Sequence, residues 1–140
     1  MKRKVLFLCT GNSARSQMAE AIVNARLGEI WEASSAGTRP TGSVNPNAIR
    51  ALREIGIEHA GRSKDVAEMR SVPFELVVTV CDSAAEECPV WLGHGRRLHL
   101  GFPDPALARG SEAEVMAAFR QVRDQITTKV PSLLESQLGD

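Results

Sequence analysis

A buried strand that runs directly into a cysteine-containing polar loop constrains this 140-residue chain more than any other feature. The apolar run Val5–Leu8 is followed by Cys9, and a Cys-x5-Arg-Ser spacing ends at Arg15 and Ser16. Four apolar residues before a glycine-containing polar loop indicate a buried strand that ends in a turn. Residues 17–27 then combine helix formers with apolar residues at helical spacing. The segment therefore predicts a strand, a loop and a helix N-terminus in immediate succession.

The loop between this strand and this helix has the composition of an anion site with a nucleophile. Unpaired backbone N–H groups and the helix dipole favour an anion at a helix N-terminus, and they stabilise a thiolate for the same reason. Cys9 is the candidate nucleophile, although a cysteine at the end of a buried strand is otherwise most often an inert core residue. Arg15 offers a planar fork that suits a tetrahedral oxyanion. The candidate oxyanion-binding residues are Thr10, Gly11, Asn12, Ser13, Ala14 and Arg15.

Strands alternate with helices along the whole chain, which predicts an α/β fold with a parallel sheet and helices on both of its faces. We expect strands at about 4–9, 31–35, 75–80 and 96–100, and helices at about 15–27, 46–55, 65–70 and 111–127, the last continuing toward 138. Asn45 with Pro46, and Ser111, are residues typical of helix starts, whereas Pro131 is a candidate kink. The length suits one domain, residues 1–140.

Ligands of such sheets bind beyond the carboxyl ends of the strands. Cys9, Cys81 and the loop Phe102–Asp104 all follow predicted strands, so we expect them to converge on one edge of the sheet. From residue type alone, however, Asp104 before Pro105 is more often a turn residue than a catalytic acid.

The overall charge excludes several classes of function. The chain has 17 basic and 17 acidic residues, so nothing favours nucleic acid or an anionic membrane as a partner.

No apolar run is long enough for a transmembrane helix or a signal-peptide core, and we therefore expect a cytoplasmic protein. In that compartment the three cysteines are reduced, and a disulfide would be catalytic or sensing. No spacing of cysteine and histidine is typical of a zinc site.

Several motifs together resemble the low-molecular-weight tyrosine phosphatase family over nearly the whole chain. They are the loop Cys9–Ser16, the segment Ser34–Thr38, the pair Cys81 and Cys88, and Asp104–Pro105. Within that family, the two later cysteines are similar to those of the thioredoxin-coupled arsenate reductases. The resemblance implies a three-layer α/β fold around a central four-stranded parallel sheet.

The resemblance also implies a role for each catalytic residue. Cys9 would attack arsenate, Ser16 would donate a hydrogen bond to its sulfur, and Asp104 would protonate the leaving oxygen. Cys81 would then attack the Cys9 sulfur and release arsenite, and Cys88 would attack Cys81. Thioredoxin would reduce the resulting bridge, and phosphate or sulfate would compete with arsenate. This chemistry requires no metal or organic cofactor.

The spacing of Cys81 and Cys88 adds a physical condition to that cycle. Seven residues of helix rise about 10 Å, whereas a disulfide needs Cα atoms within about 7 Å. A short helix between the two cysteines would therefore have to unwind before they could bond, which costs little at that length. The alternative is that they are two unrelated buried thiols.

Some members of the reductase branch hold a structural potassium ion. The matching positions in this chain are Asn12, Glu20, Ser35, Ser63 and Asp65. Arg62 and Lys64 flank the last two and bring positive charge close to them. The alternative is that these are ordinary polar residues of loops and helix caps.

One departure from the phosphatases bears on the substrate. The chain has no tyrosine, and Ala106 follows the Asp-Pro pair, so that the site offers little aromatic wall beyond Phe102 and Trp91. This favours a small inorganic substrate over an aryl phosphate.

Two alternative functions stay open: a phosphatase that uses Cys9, Arg15 and Asp104, and a non-catalytic oxyanion-binding or redox-sensing module. Weak phosphatase activity is compatible with either enzyme.

Overall fold

The strands form one parallel sheet whose central member carries the apolar run that precedes Cys9. The computed structural model describes residues 2–82 and 90–138. Its strands are β1 (Arg3–Cys9), β2 (Trp31–Gly37), β3 (Leu76–Thr79) and β4 (Arg96–His99). All neighbours pair in parallel, in the spatial order β2-β1-β3-β4. The predicted α/β class, with four parallel strands, is confirmed.

Both faces of β1 are buried, which explains why its sequence is apolar without alternation. Val5 and Phe7 point into one apolar cluster, whereas Leu6 and Leu8 point into a second cluster on the opposite face. All four side chains are fully buried. A strand enclosed in this way is a rigid support for the residue that ends it, Cys9.

Three α-helices contribute to the cluster around Val5 and Phe7: α1 (Arg15–Arg26), α2 (Pro46–Arg53) and α3 (Glu112–Ser136). The predicted starts of α2 and α3 are confirmed. The Asn45 side chain accepts a hydrogen bond from the Asn47 N–H at 2.8 Å, and Ser111 forms a reciprocal capping box with Glu114. The third helix continues beyond Pro131 to Ser136, as its apolar pattern indicates.

On the opposite face, the described residues supply a shorter cover. A 3₁₀ turn at Val66–Met69 lies where a short helix is predicted, and Phe74 packs edge-on against Trp91 with ring centroids 6.2 Å apart. Within residues 2–82 and 90–138, no helix is long and apolar enough to cross a membrane.

The sequence misjudges one boundary that matters for the site. β2 runs two residues further than predicted, to Gly37, which pairs with Cys9 across the sheet and forms an isolated bridge with Asp65. The extension depends on neighbours far apart in sequence, so no local pattern indicates it. The differences at the ends of α2, β3 and β4 are likewise of one or two residues.

Candidate active site

The candidate residues meet at the carboxyl edge of the sheet, as predicted. Cys9 is the last residue of β1, and Cys81 follows the end of β3 by two residues. The neighbouring strands keep these ends together, because the Val80 N–H donates to the Leu8 carbonyl at 2.8 Å. The Phe102 N–H donates to the Val80 carbonyl at 3.1 Å, which brings the loop with Asp104 to the same edge.

The backbone of the Cys9 loop is oriented by hydrogen bonds from outside it. Four successive carbonyl groups accept such bonds: Thr10 from the Arg39 N–H at 2.9 Å, Gly11 from the Thr41 N–H at 3.1 Å, Asn12 from the Gln17 amide at 3.1 Å, and Ser13 from the Asn45 N–H at 2.9 Å. In a trans peptide the following N–H points away from the carbonyl. The N–H groups of residues 11–14 therefore point inward, where they can bind an oxyanion.

Asn12 produces the tight curvature of this loop. Its φ of 47° lies in the left-handed region, which asparagine tolerates better than most residues. Within the described residues, no side chain caps the N-terminus of α1, and its first turn holds no acidic residue. The helix end can consequently contribute its partial positive charge to a bound anion.

The Cys9 sulfur is held by two donors. The Asn12 backbone N–H donates to it at 3.3 Å, and the Ser16 hydroxyl lies 2.9 Å away. The Asn12 side-chain amide donates to the Ser16 oxygen at 2.8 Å. This leaves the hydroxyl hydrogen of Ser16 available to the sulfur. Both contacts suit a thiolate, which can only accept hydrogen bonds.

Arg15 is placed beside the loop by the Asp104 segment. Its side chain is 4% exposed, donates to the Phe102 carbonyl at 3.2 Å and lies 3.6 Å from an Asp104 carboxylate oxygen. Asp104 is 26% exposed and accepts a hydrogen bond from the Ala106 N–H at 3.0 Å. Asp104 therefore caps the 3₁₀ turn Pro105–Leu107 and also lines the cavity beside Arg15, while its role as an acid stays a prediction.

A cavity of about 200 Å³ opens over the sulfur. It is lined by Cys9, Gly11, Ser13, Ala14, Arg15, Thr41, Asn45, Asp104 and Ala106. None of these described lining residues is aromatic. The size is below the range of about 300–1,000 Å³ that is typical of pockets for larger organic ligands. The cavity therefore suits a small oxyanion, with Cys9 as nucleophile, inward N–H groups and Arg15 as anion binders, and Asp104 as proton donor.

The close approach of β2 to the loop depends on Gly37, for a reason that the sequence does not show. A Cβ atom at this position would collide with the Thr10 carbonyl oxygen and would lie 3.0 Å from the Asn12 nitrogen. Both obstacles are backbone atoms, so they cannot swing aside as a flexible side chain can. Only glycine lets β2 approach the loop this closely.

Gln17 is a second residue of the site that the sequence analysis does not identify. Its buried amide nitrogen lies within hydrogen-bond distance of both Asn12 oxygens, the carbonyl at 3.1 Å and the side-chain Oδ1 at 3.0 Å, and of the Arg62 carbonyl at 3.0 Å. Its amide oxygen lies 2.7 Å from the His59 Nε2. The sequence signal for this role is a glutamine on the face of α1 that is expected to be buried, because a buried polar side chain needs hydrogen-bond partners.

His59 and Glu20 extend this network behind the loop. The His59 Nε2 is 3.8 Å from a Glu20 carboxylate oxygen, and both side chains are mostly buried. Burial lowers the pKa of His59 more than the nearby Glu20 charge raises it. The Ser35 hydroxyl donates to the other Glu20 oxygen at 2.9 Å.

The positions implied for potassium belong to this network or lie beside it. Both lone pairs of the Asn12 side-chain oxygen are engaged, by the Gln17 amide at 3.0 Å and by the Lys64 N–H at 2.9 Å. Ser63 donates to the Gly11 carbonyl and accepts from the Gly42 N–H, while Asp65 caps the turn at Ala67. The Asn12 and Ser63 oxygens are thus engaged within the protein, whereas the buried Glu20 carboxylate accepts one hydrogen bond, from Ser35. Potassium binding at these positions stays a prediction. Within the described residues, no group of three or more histidine, cysteine, aspartate or glutamate side chains forms a metal site.

Of the two later cysteines, only Cys81 lies within the described residues. Cys81 is fully buried and disulfide-bonded, whereas Cys9 is a free thiol. Cys88 and the predicted helix between Ser83 and Glu87 lie outside the described residues. The unwinding of that helix accordingly stays a prediction.

Comparison with known proteins agrees with the arrangement of this site. Residues 4–139 match the family described as low molecular weight phosphotyrosine protein phosphatase. Arsenate reductase from Bacillus subtilis is 43% identical over 138 residues, which cover 97% of this chain and 99% of that protein. The crystal structure of arsenate reductase from Archaeoglobus fulgidus superposes with a TM-score of 0.72 and 30% identity, over 91% of this chain and 98% of that one. The structure of a low molecular weight protein tyrosine phosphatase from T. tengcongensis superposes with a TM-score of 0.75 and 25% identity, over 96% of this chain and 99% of that one.

Proposed function

The chain belongs to the low molecular weight phosphotyrosine protein phosphatase family, and from that premise we propose that it reduces arsenate to arsenite. The observation that carries the proposal is the free Cys9 thiol at the base of a small cavity that contains Arg15 and no aromatic wall among its described lining residues. Close relatives along almost the full chain are arsenate reductases.

In the first step the Cys9 thiolate attacks the arsenic atom of bound arsenate. A sulfur–arsenic bond forms, an arsenic–oxygen bond breaks, and Asp104 supplies the proton with which the oxygen leaves as water. Arg15 and the inward N–H groups hold the remaining oxygens and stabilise their charge. Arg15, 3.6 Å from Asp104, also keeps that carboxyl group directed at the site.

In the second step the Cys81 thiolate attacks the Cys9 sulfur. The sulfur–arsenic bond breaks, its electron pair stays on arsenic, and arsenite leaves while the two sulfurs are oxidised to a disulfide. Cys88 then attacks Cys81 and releases Cys9 as a thiolate. A bonded Cys81 beside a free Cys9 supports this order, because the cycle regenerates Cys9 before it regenerates Cys81.

Thioredoxin is the proposed electron donor that closes the cycle. Its dithiol reduces the Cys81–Cys88 bridge by the same exchange chemistry. A cytoplasmic location accords with this scheme, since that compartment keeps Cys9 reduced between turnovers. Phosphate and sulfate, which share the tetrahedral shape of arsenate, are the expected competitors at the loop.

A phosphatase is the second candidate, because a nucleophile, an anion-binding arginine and a proton donor, here Cys9, Arg15 and Asp104, could also hydrolyse a phosphate ester. The similarity to a tyrosine phosphatase structure favours it, whereas the lack of an aromatic wall favours a small substrate. A non-catalytic oxyanion or redox sensor would need the loop alone. The approach of Asp104 to Arg15 argues against that third candidate, since binding an anion needs no acid.

The test is arsenate turnover with purified thioredoxin, thioredoxin reductase and NADPH, followed by arsenite release. We expect multiple turnovers from the wild-type protein. Cys88→Ser should abolish them and leave the hydrolysis of a small aryl phosphate unchanged, if any is measurable. Wild-type hydrolysis without arsenite would favour the phosphatase, and neither activity would favour the sensor.

A further inference from the structure

The proposed reaction assigns no task to the buried glutamine behind the anion loop. The Gln17 side chain is fully buried. Its amide nitrogen lies 3.1 Å from the Asn12 carbonyl, 3.0 Å from the Asn12 Oδ1 and 3.0 Å from the Arg62 carbonyl. Because an amide oxygen in the same place would meet only other acceptors, these three neighbours decide which end of the amide carries the nitrogen. The Gln17 oxygen therefore faces the other way, toward His59.

The contact between Gln17 and His59 has a defined direction. The Gln17 Oε1 lies 2.7 Å from the His59 Nε2, and an amide oxygen can only accept, so the His59 Nε2 carries the hydrogen. Gly61 leaves room for this contact, because a Cβ atom there would collide with both the His59 ring and the Gln17 Oε1. Both side chains are enclosed, so they could make room for a Cβ only by separating.

The hydrogen bonds continue in the same direction as far as the nucleophile. The Gln17 amide and the Lys64 N–H occupy both lone pairs of the Asn12 Oδ1. The Asn12 amide nitrogen consequently faces the Ser16 oxygen, at 2.8 Å, and the Ser16 hydroxyl hydrogen is left for the Cys9 sulfur, at 2.9 Å. Every link then donates toward the sulfur, and aligned hydrogen bonds in a low-dielectric interior strengthen one another.

A second branch from Gln17 reaches the anion-binding backbone. Among the described contacts, the Asn12 carbonyl accepts its hydrogen bond from the Gln17 amide. That carbonyl belongs to the peptide whose N–H is contributed by Ser13, and in a trans peptide the N–H points to the opposite side. One side chain thus orients both a donor to the sulfur and an N–H that faces the anion.

We propose that Gln17 is a positioning residue that directs a hydrogen-bond relay, His59–Gln17–Asn12–Ser16–Cys9, toward the sulfur and holds the Ser13 N–H toward the bound anion. Gln17 acts through its neighbours and does not line the cavity over the sulfur. The inference rests on the proposed function only in taking Cys9 as the nucleophile, since thiol reactivity and anion binding can both be measured without turnover.

The experiment measures how fast iodoacetamide alkylates Cys9 in the reduced protein, by mass spectrometry of the Cys9 peptide. The rate near pH 7 is divided by the rate at about pH 9.5, where a free thiol is mostly ionised, so that the ratio reports how well the fold stabilises the thiolate. Phosphate affinity is measured by isothermal titration, and melting curves are recorded for every variant.

The variants are Gln17→Met, Gly61→Ala and, as a matched control, Asn24→Ala. Asn24 lies in the same helix, and its side-chain amide makes two hydrogen bonds to the Ala33 backbone, at 2.8 and 3.1 Å. Gln17→Met should reduce both the rate ratio and the phosphate affinity about three- to tenfold, as expected for the loss of one buried hydrogen bond. Gly61→Ala should reduce the rate ratio less, because Gln17 can still donate to Asn12. Asn24→Ala should melt at a lower temperature and keep both wild-type values.

The double variant tests whether the two residues act through one relay. Adding Gly61→Ala to Gln17→Met should not lower the rate ratio further, since the contact that Gly61 protects is already gone. An unchanged rate ratio in Gln17→Met or in Gly61→Ala, an equal loss in Asn24→Ala, or additive losses in the double variant would each overturn the proposal. Gly61→Ala carries the test by itself if Gln17→Met does not fold. A wild type that shows these effects but produces no arsenite would instead overturn the proposed function and leave this inference intact.

Discussion

Cys9 and Cys81 lie at the carboxyl ends of neighbouring strands, yet the surroundings of the two sulfurs differ sharply. Cys9 is a free thiol with donors at 2.9 and 3.3 Å and an open cavity above it. Cys81 is fully buried and already bonded in a disulfide. The first site is preorganised for attack on an external ligand. The second can act only after its sulfur is reduced and brought to Cys9, so the two halves of the proposed cycle make different demands on the fold.

The largest expected effect separates the two cysteines directly. Cys9→Ser should eliminate both arsenite formation and any aryl phosphate hydrolysis, because a serine hydroxyl is a far weaker nucleophile than a thiolate near neutral pH. Cys81→Ser should eliminate arsenate turnover alone. Parallel assays of the two variants, with melting curves to confirm folding, make the comparison. Arsenite production by Cys9→Ser at a tenth of the wild-type rate would show that Cys9 is not the nucleophile.

The next effect concerns the proton donor, which serves the Cys9 step only. Asp104→Asn should slow the first chemical step by about 10²–10⁴-fold, the usual range for loss of a positioned acid. Asparagine can still cap the turn at Ala106, so the loop should persist. Phosphate should bind no more weakly, since a carboxylate 3.6 Å from Arg15 has been removed. The rate is measured in a single turnover by rapid quench. A rate loss below threefold would show that Asp104 serves only to cap the turn.

Arg15→Lys should reduce the rate by about 10²–10³-fold and weaken phosphate binding, because an ammonium replaces a two-pronged donor in a buried position. The matched control is Arg39→Lys in the adjacent loop, where the arginine is exposed and contributes its backbone N–H to Thr10. Isothermal titration with phosphate distinguishes the two. Equal affinity in both variants would mean that Arg15 does not clamp the anion.

The smallest expected effect is on the approach of β2 to the loop. Gly37→Ala should lower both the melting temperature and the affinity for phosphate, because the added Cβ meets the backbone of Thr10 and Asn12. Gly56→Ala is the control: its φ of 81° strains an L-residue with a side chain by about 1–2 kcal/mol, but open space surrounds it. The control should lose stability and keep phosphate protection. If both variants keep it, the close packing of Gly37 does not shape the anion site.

The sequence predicts those parts of the fold and site that rest on local pattern. The strand-loop-helix unit at Cys9, the caps Asn45 and Ser111, and the order of strands and helices all follow from short-range periodicity and residue type. The full length of β2 and the roles of Gly37 and Gln17 depend on contacts between distant segments, and no local signal encodes a backbone approach.

The most direct test of the account is to map the disulfide that forms in Cys88→Ser after a single exposure to arsenate. The protein is reduced, freed of reductant, mixed with one equivalent of arsenate, alkylated and digested for mass spectrometry. With no Cys88 to resolve it, the bond between Cys9 and Cys81 should accumulate in step with one equivalent of arsenite. Stoichiometric arsenite with Cys9 and Cys81 both alkylated as free thiols would contradict the proposed sequence of attacks.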